Sequence, residues 1–312
     1  MVEAYATMPT LEMAITLAFW PVVVVADLLL IALGIQLGHD PAAVLFVVNV
    51  ATLAAVLAAE QAAPHRPEWN ALRDRQSLND VGHGILQSQI GERLGGLVLL
   101  GLAAGAGSQL GTLVGRPLWP IAWPMPIQIV WGLLVADGLD YWKHRALHTT
   151  WGWRFHGLHH GITQLHALRS ARSHFVEVVM RFLVVYAPLA AVGAPHEVFF
   201  WHAAAIATLG VIGHSNVRLR VASAVHVMLM TPHVHRLHHS NERAVADTNF
   251  ANVFPWWDVV FGTFTRPDEH EVRAVGVVGD DVPTSFLRQV LHPFTPGREG
   301  AATASSADKI PG

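Results

Sequence analysis

The chain has no cysteine anywhere in its 312 residues. That absence excludes disulfides, thiolate zinc sites, iron–sulfur clusters and thiol nucleophiles. Charge is also scarce: Asp, Glu, Lys and Arg make up 14% of the chain, against about a quarter in a soluble globular domain. The net charge of −3 and the lack of any Lys/Arg run argue against a nucleic-acid partner. What fills the space is apolar. Hydrophobic residues reach 52% and mean hydropathy is +0.36. Histidine is the other excess, with 20 residues, as many as Lys and Arg together. A membrane protein rich in imidazole and free of thiol is the starting picture.

Residues 13–35 carry one charge, Asp27, and residues 41–59 form a second apolar stretch near the roughly 20 residues a bilayer demands. Their short connector makes them a transmembrane hairpin over 1–60. A cleaved leader is not expected, because Glu3 and Glu12 flank the first stretch and no basic segment precedes it. A third, Gly-rich apolar stretch runs from about Ile85 to Leu110, followed by the Pro/Trp-rich loop 115-GRPLWPIAWPMP-126. A fourth helix is expected over 127–144, and a returning hairpin over 175–193 and 197–213, broken at 193-GAPHE-197. The tail 296–312 reads as disordered. The predicted class is therefore all-α: a membrane bundle of about four spans plus a returning hairpin, with a histidine-rich helical cap. Twelve basic residues, from Arg66 to Arg243, fall on one side of that arrangement and Arg116 on the other. The positive-inside rule makes the first side cytoplasmic, with both termini on it.

Fifteen of the histidines lie between His144 and His239. In 144-HRALH-148 the i, i+4 spacing puts both rings on one helix face, and about 100° per residue brings Asp140 and Asp137 toward the same stripe. The pentad 156-HGLHH-160 returns as 235-HRLHH-239. If helical, each pentad converges its three rings, giving His144, His148, His156, His159, His160, His235, His238 and His239. Those nitrogens are too many for one tetrahedral ion and suit two ions of higher coordination; His214 in 213-GHSN-216 is a further candidate. Neutral imidazole serves zinc, iron, copper and nickel alike. Loose metal-capture tracts are low in complexity, whereas here the spacing is fixed and Trp, Phe and Arg interleave. A metal transporter is the rival from another class, but it would need ligands along a transmembrane path rather than on one face. His39, His65, His83, His202 and His226 read as hydrogen-bonded core histidines, and His166 and His233 have no assignment.

The series 137-DGLDYWKHRALH-148, 151-WGWRFHGLHH-160, 171-ARSHFVE-177, 213-GHSN-216, 232-PHVHRLHHS-240 and 247-DTNFANVFPWWDVVFGTF-264 resembles the fatty acid hydroxylase superfamily of sterol-desaturase type. The likeness runs from about residue 60 to 295, as one domain over 61–295. The first box has three intervening residues, where the related acyl-CoA desaturases have four. The resemblance implies an integral-membrane oxygenase with two iron ions (zinc as a possible substitute) and O₂ as cosubstrate. It also implies that the boxes named above are the metal ligands. The implied reaction is hydroxylation or desaturation of a membrane lipid of sterol, fatty acyl or sphingolipid kind. Ether-lipid or carotenoid oxygenation is the alternative. No flavin, nicotinamide or haem motif is visible, so electrons would come from a separate ferredoxin or cytochrome with its reductase. Asp137, Asp140, Asp247 and Asp258 are candidates to orient the rings, with Asp137 expected to accept from a ligand ring N–H. His174 and Glu177 are assigned to substrate or ring contacts. Ala/Arg/Gly-rich usage favours a bacterial inner membrane, or the endoplasmic reticulum if the host is eukaryotic.

Overall fold

A computed structural model describes residues 9–101, 105, 111, 113–278 and 282–295. Helix α1, Thr10–Gln36, and helix α2, Pro41–Ala62, form the expected hairpin. Their turn is built from local chemistry. Gly38 takes the positive φ of +82° that ends α1. Asp40 then caps α2 by accepting the Ala43 N–H at 2.9 Å, with Pro41 at the first helical position. Leu17, Val22, Leu29, Phe46 and Val47 are all about half exposed or more, a surface suited to lipid rather than water. Facing inward, Trp20, Val56 and Ala59 pack with Ile212 and Val217. The charge in the middle of α1 is buried there as well: Asp27 accepts hydroxyl hydrogen bonds from Thr52 at 2.7 and 2.8 Å and from Thr208 at 2.9 Å. In a span, a carboxylate must find such partners inside the protein, so this contact locks three helices together.

Helix α3, Ser77–Leu86, continues through two π turns, Gln87–Glu92 and Gly95–Leu100. It contains the start of the expected third apolar stretch; most of the remainder, toward Leu110, lies outside the described residues, as does the tail 296–312. Helix α4 is Met125–Leu147 and α5 is Thr150–His160. The loop before α4 is tied down by Trp119, whose indole donates to Gln128 at 2.8 Å. Helix α6, Phe175–Arg181, runs on through the π turn Phe182–Tyr186 into Ala187–Ala191, and α7, His196–Gly213, returns alongside it. Gly132 permits α4 to lie against α7, since a Cβ there would meet Val198 at 2.3 Å. The cap adds α8, Pro232–His238, and α9, Trp256–Val260.

Among the described residues, α1, α2 and α7 are long and apolar enough to cross a membrane, and no strand occurs beyond two isolated bridges. The class is all-α membrane protein, as expected. The fourth expected span, α4, has the length but turns polar in its second half, burying Asp137, Asp140, Lys143 and His144 against the bundle. The first arm of the returning hairpin is interrupted by its π turn.

Candidate metal centre

The nine histidines singled out above converge. Helix α4 brings His144 in its last turn and His148 at its C-cap. Helix α5 brings His156, His159 and His160, whose i, i+3, i+4 spacing puts them on one face. His214 caps the C-terminus of α7. Helix α8 starts at a Thr231 cap with Pro232 behind it and presents His235 and His238, with His239 as its C-cap. The nine rings fall into two groups: His144, His148, His156, His160 and His238 in the first, and His159, His214, His235 and His239 in the second. Within each group the potential ligand atoms all lie within 4.8 Å of one another. The groups touch, with the His160 and His239 rings stacked at 4.5 Å.

The ring protons are fixed from outside. Nδ1–H donates to the Phe250 carbonyl from His144 at 2.7 Å and to the Thr248 carbonyl from His238 at 2.8 Å. His159 donates to the Arg172 carbonyl at 3.1 Å and His214 to that of Gly210 at 2.7 Å. His156 donates to Glu177 at 2.7 Å and His148 to Asp247 at 3.0 Å. Burial and the neighbouring imidazoles push the pKa values of His156, His159, His160, His235 and His239 well below the ordinary range, and that of His238 down to about 3. The rings are therefore neutral, which is the ligand form.

A neutral ring that donates through Nδ1 has only a lone pair at Nε2. Yet the Nε2 atoms of His144 and His238 stand 3.0 Å apart, those of His144 and His156 3.0 Å, and those of His159 and His214 3.2 Å. Two acceptors at that distance repel unless a cation lies between them. Metal–nitrogen bonds of about 2.0–2.1 Å, set at right angles, put neighbouring ligand atoms about 3 Å apart. The buried Nε2 of His148 likewise has no hydrogen-bond partner among the described residues. The donor set fits two metal ions.

Of the four aspartates expected to orient rings, Asp247 does so. Asp137 does not: its oxygens accept the backbone N–H groups of Asn252, Val253 and Phe254 at 2.8–3.2 Å. Seven residues along a helix is about 10 Å of rise, so sharing an angle with His144 does not bring Asp137 to its ring. Asp258 similarly accepts from the N–H of Phe250 and Ala251 at 2.7 and 2.9 Å. Both acids brace the segment whose carbonyls hold His144 and His238, one bond removed from the rings. Asp140 pairs with Lys143 at 2.5 Å and Arg181 at 3.4 Å. Of the other two residues given site roles, Glu177 reaches a ring and His174 does not. His174 caps α6 by accepting from Val176 N–H at 3.3 Å and donates to the Val290 carbonyl at 3.0 Å, which uses both its nitrogens. Among the core histidines, His83 and His226 are buried with Gln289 and Thr231 as partners, whereas His39 is exposed.

Sequence reasoning missed a buried ionic network behind the second group. Asp80, fully buried, accepts from Arg169 and Arg172 at 2.9 Å, and Asp74 accepts from Arg169 and from His166. Burial alone would raise the Asp74 carboxyl, but bonds from His166 and the Gln76 backbone, with the Arg169 charge, hold it at about 2. The network fixes the turn Ala167–Ala171 and the Arg172 carbonyl that His159 uses. Its signal was present: several charges close together in a chain with few.

A cavity of about 560 Å³ reaches His144, His156, His159, His214 and His235 and continues between α2, the π turns that follow α3, α6 and α7, past Leu45, Phe182, Phe199 and Phe200. It offers an apolar chain a path from the spans to the histidines.

Residues 129–263 match the model of the family described as fatty acid hydroxylase. An ornithine lipid hydroxylase, OlsE, of Rhizobium tropici is 33% identical over 253 residues, covering 80% of this chain and 75% of that protein. Human alkylglycerol monooxygenase is 29% identical over 167 residues, covering 50% of this chain and 34% of its own length. Methylsterol monooxygenase 1-2 of Arabidopsis thaliana is 28% identical over 152 residues, 48% of this chain and 50% of that one. No solved structure matches. The matched residues contain all nine clustered histidines and both acids that touch them, and with the length of the Rhizobium match they settle the relationship: the chain belongs to the fatty acid hydroxylase family.

Proposed function

We propose that the protein is an O₂-dependent oxygenase that hydroxylates a membrane lipid, holding one iron in each histidine group. The observation that carries the metal reading is the set of Nε2 lone pairs facing one another at 3.0–3.2 Å while their Nδ1 protons are committed elsewhere. His144, His148, His156, His160 and His238 would hold one ion and His159, His214, His235 and His239 the other. Two bound irons supply O₂ activation and electron storage, which cysteine-free imidazole ligation suits. The balance is one lipid C–H, one O₂, two electrons and two protons giving an alcohol and water. Electrons come from a separate donor protein, since no flavin, nicotinamide or haem motif is present.

The protein's own groups do the rest. The carbonyls of Phe250, Thr248, Arg172 and Gly210 and the carboxylates of Glu177 and Asp247 keep the rings oriented. Burial keeps water from the histidines, and the cavity walls of Leu45, Phe182, Phe199 and Phe200 steer an apolar chain to them. Hydroxylation is favoured over desaturation because the relatives matched include a lipid hydroxylase and two monooxygenases. The site lies on the cytoplasmic side in this reading, with the basic residues beside it. Incubating the iron-loaded protein with membrane lipids, a reductase system and isotopically labelled O₂ tests it. The label should appear in a lipid hydroxyl. Product labelled from water, or no oxygenated lipid from any host extract, would overturn the reading.

A further inference from the structure

The same cavity has a charged side that the metal centre does not use. Arg181 lines it with a side chain 27% exposed, and Glu92 lines it from the facing rod. Glu92 ends the π turn Gln87–Glu92 and Arg181 immediately precedes the π turn Phe182–Tyr186, and such turns recur at functional sites. Arg181 spends only its Nε on Asp140, at 3.4 Å, and Asp140 is already paired with Lys143 at 2.5 Å and Asn252 at 2.5 Å. Glu92 is exposed and its carboxylate accepts no hydrogen bond among the described residues; the Arg181 charge acts on it without closing to an ion pair. Two opposite charges therefore line one cavity, near enough to act on each other and each with hydrogen-bonding capacity to spare.

We infer that Arg181 and Glu92 read a lipid headgroup carrying both an acidic group and an amine, Arg181 taking the oxyanion and Glu92 the ammonium. This rests on the reading of the cavity as the lipid's binding place. A guanidinium fork suits a carboxylate or phosphate, and a carboxylate accepts an ammonium. The headgroup could be an amino acid or a phosphoethanolamine. A sterol or diacylglycerol would leave that hydrogen-bonding capacity unused.

Binding, not turnover, is the test. The full-length protein in detergent is offered an ornithine lipid, its N-acetylated and methyl-ester derivatives, phosphatidylethanolamine and diacylglycerol, and bound lipid is counted by native mass spectrometry. The wild type should prefer the ornithine lipid over either derivative by about ten- to a hundred-fold, the range for losing one charge-assisted hydrogen bond. Equal retention of phosphatidylethanolamine would name phosphate as an acceptable acid; its rejection would name the amino-acid carboxylate. Glu92→Gln, which breaks no bond in the structure, should erase discrimination against the N-acetylated lipid alone. Arg181→Lys should keep part of the discrimination against the methyl ester, and Arg181→Gln should lose it. Diacylglycerol bound as well as the charged lipids, or Glu92→Gln discriminating like wild type, overturns the inference even if a neutral lipid is oxygenated. Failure of oxygenation with this binding pattern intact would instead count against the proposed function.

Discussion

The two histidine groups are built from the same ring and held differently. In the first, two of five rings donate to carboxylates, His156 to Glu177 and His148 to Asp247, and two more to carbonyls. In the second, no ring touches a carboxylate among the described residues; His159 and His214 donate to carbonyls. An anion behind a ligand ring raises its basicity and fixes its tautomer. The first group is thus the stronger electrostatic cage. The second depends on the Arg172 carbonyl, and so on the Asp74, Asp80, Arg169 and Arg172 network behind it. Similar ligands do not make equivalent sites: what stands behind each ring decides how firmly it holds.

The largest effect should come from the support of the second group. Asp80→Ala leaves Arg169 and Arg172 buried without their shared anion, and breaking such a buried pair costs about 3–5 kcal/mol. Thermal unfolding in detergent should show a marked drop, and metal analysis should show loss chiefly of one ion per chain. Equal loss from both groups would mean that the network supports the whole fold rather than His159. Next comes Glu177→Gln, which removes the anion behind His156 and keeps its shape. Metal affinity at the first group, or turnover, should fall about 10–100-fold, with the second group unchanged in a competition titration with a chelator. The smallest effect belongs to Asp137→Asn. One acceptor oxygen remains for the backbone N–H groups of residues 252–254, so metal content should stay near wild type. Asp137→Ala, by contrast, strands buried N–H groups at about 1–3 kcal/mol each and should show up in stability before it shows in metal content. Asp137→Asn losing metal as Glu177→Gln does would place Asp137 against a ring after all.

How much of this was legible in the sequence differs between the same regions. The hairpin of α1 and α2 was readable because length and apolarity are sufficient signals for a span, and Asp27 stood out as the one charge of residues 13–35. The nine histidines were readable because i, i+3 and i+4 spacing survives translation into helix faces. Angular reasoning failed for Asp137, since it ignores rise along the axis. The carbonyls of Phe250, Thr248, Arg172 and Gly210 were not legible at all, because every residue has one and only the fold aims it. The Asp80 network was visible as charge but not as partnership, which joins residues about ninety positions apart.

Counting metal in the wild type beside one variant from each group tests the central claim most directly. The protein expressed with iron should carry close to two ions per chain. His238→Ala should lower that toward one by emptying the first group, and His159→Ala toward one by emptying the second, both without turnover and with the helical content kept. A wild type carrying one ion, or either variant keeping two, would contradict a centre in which each histidine group holds its own metal.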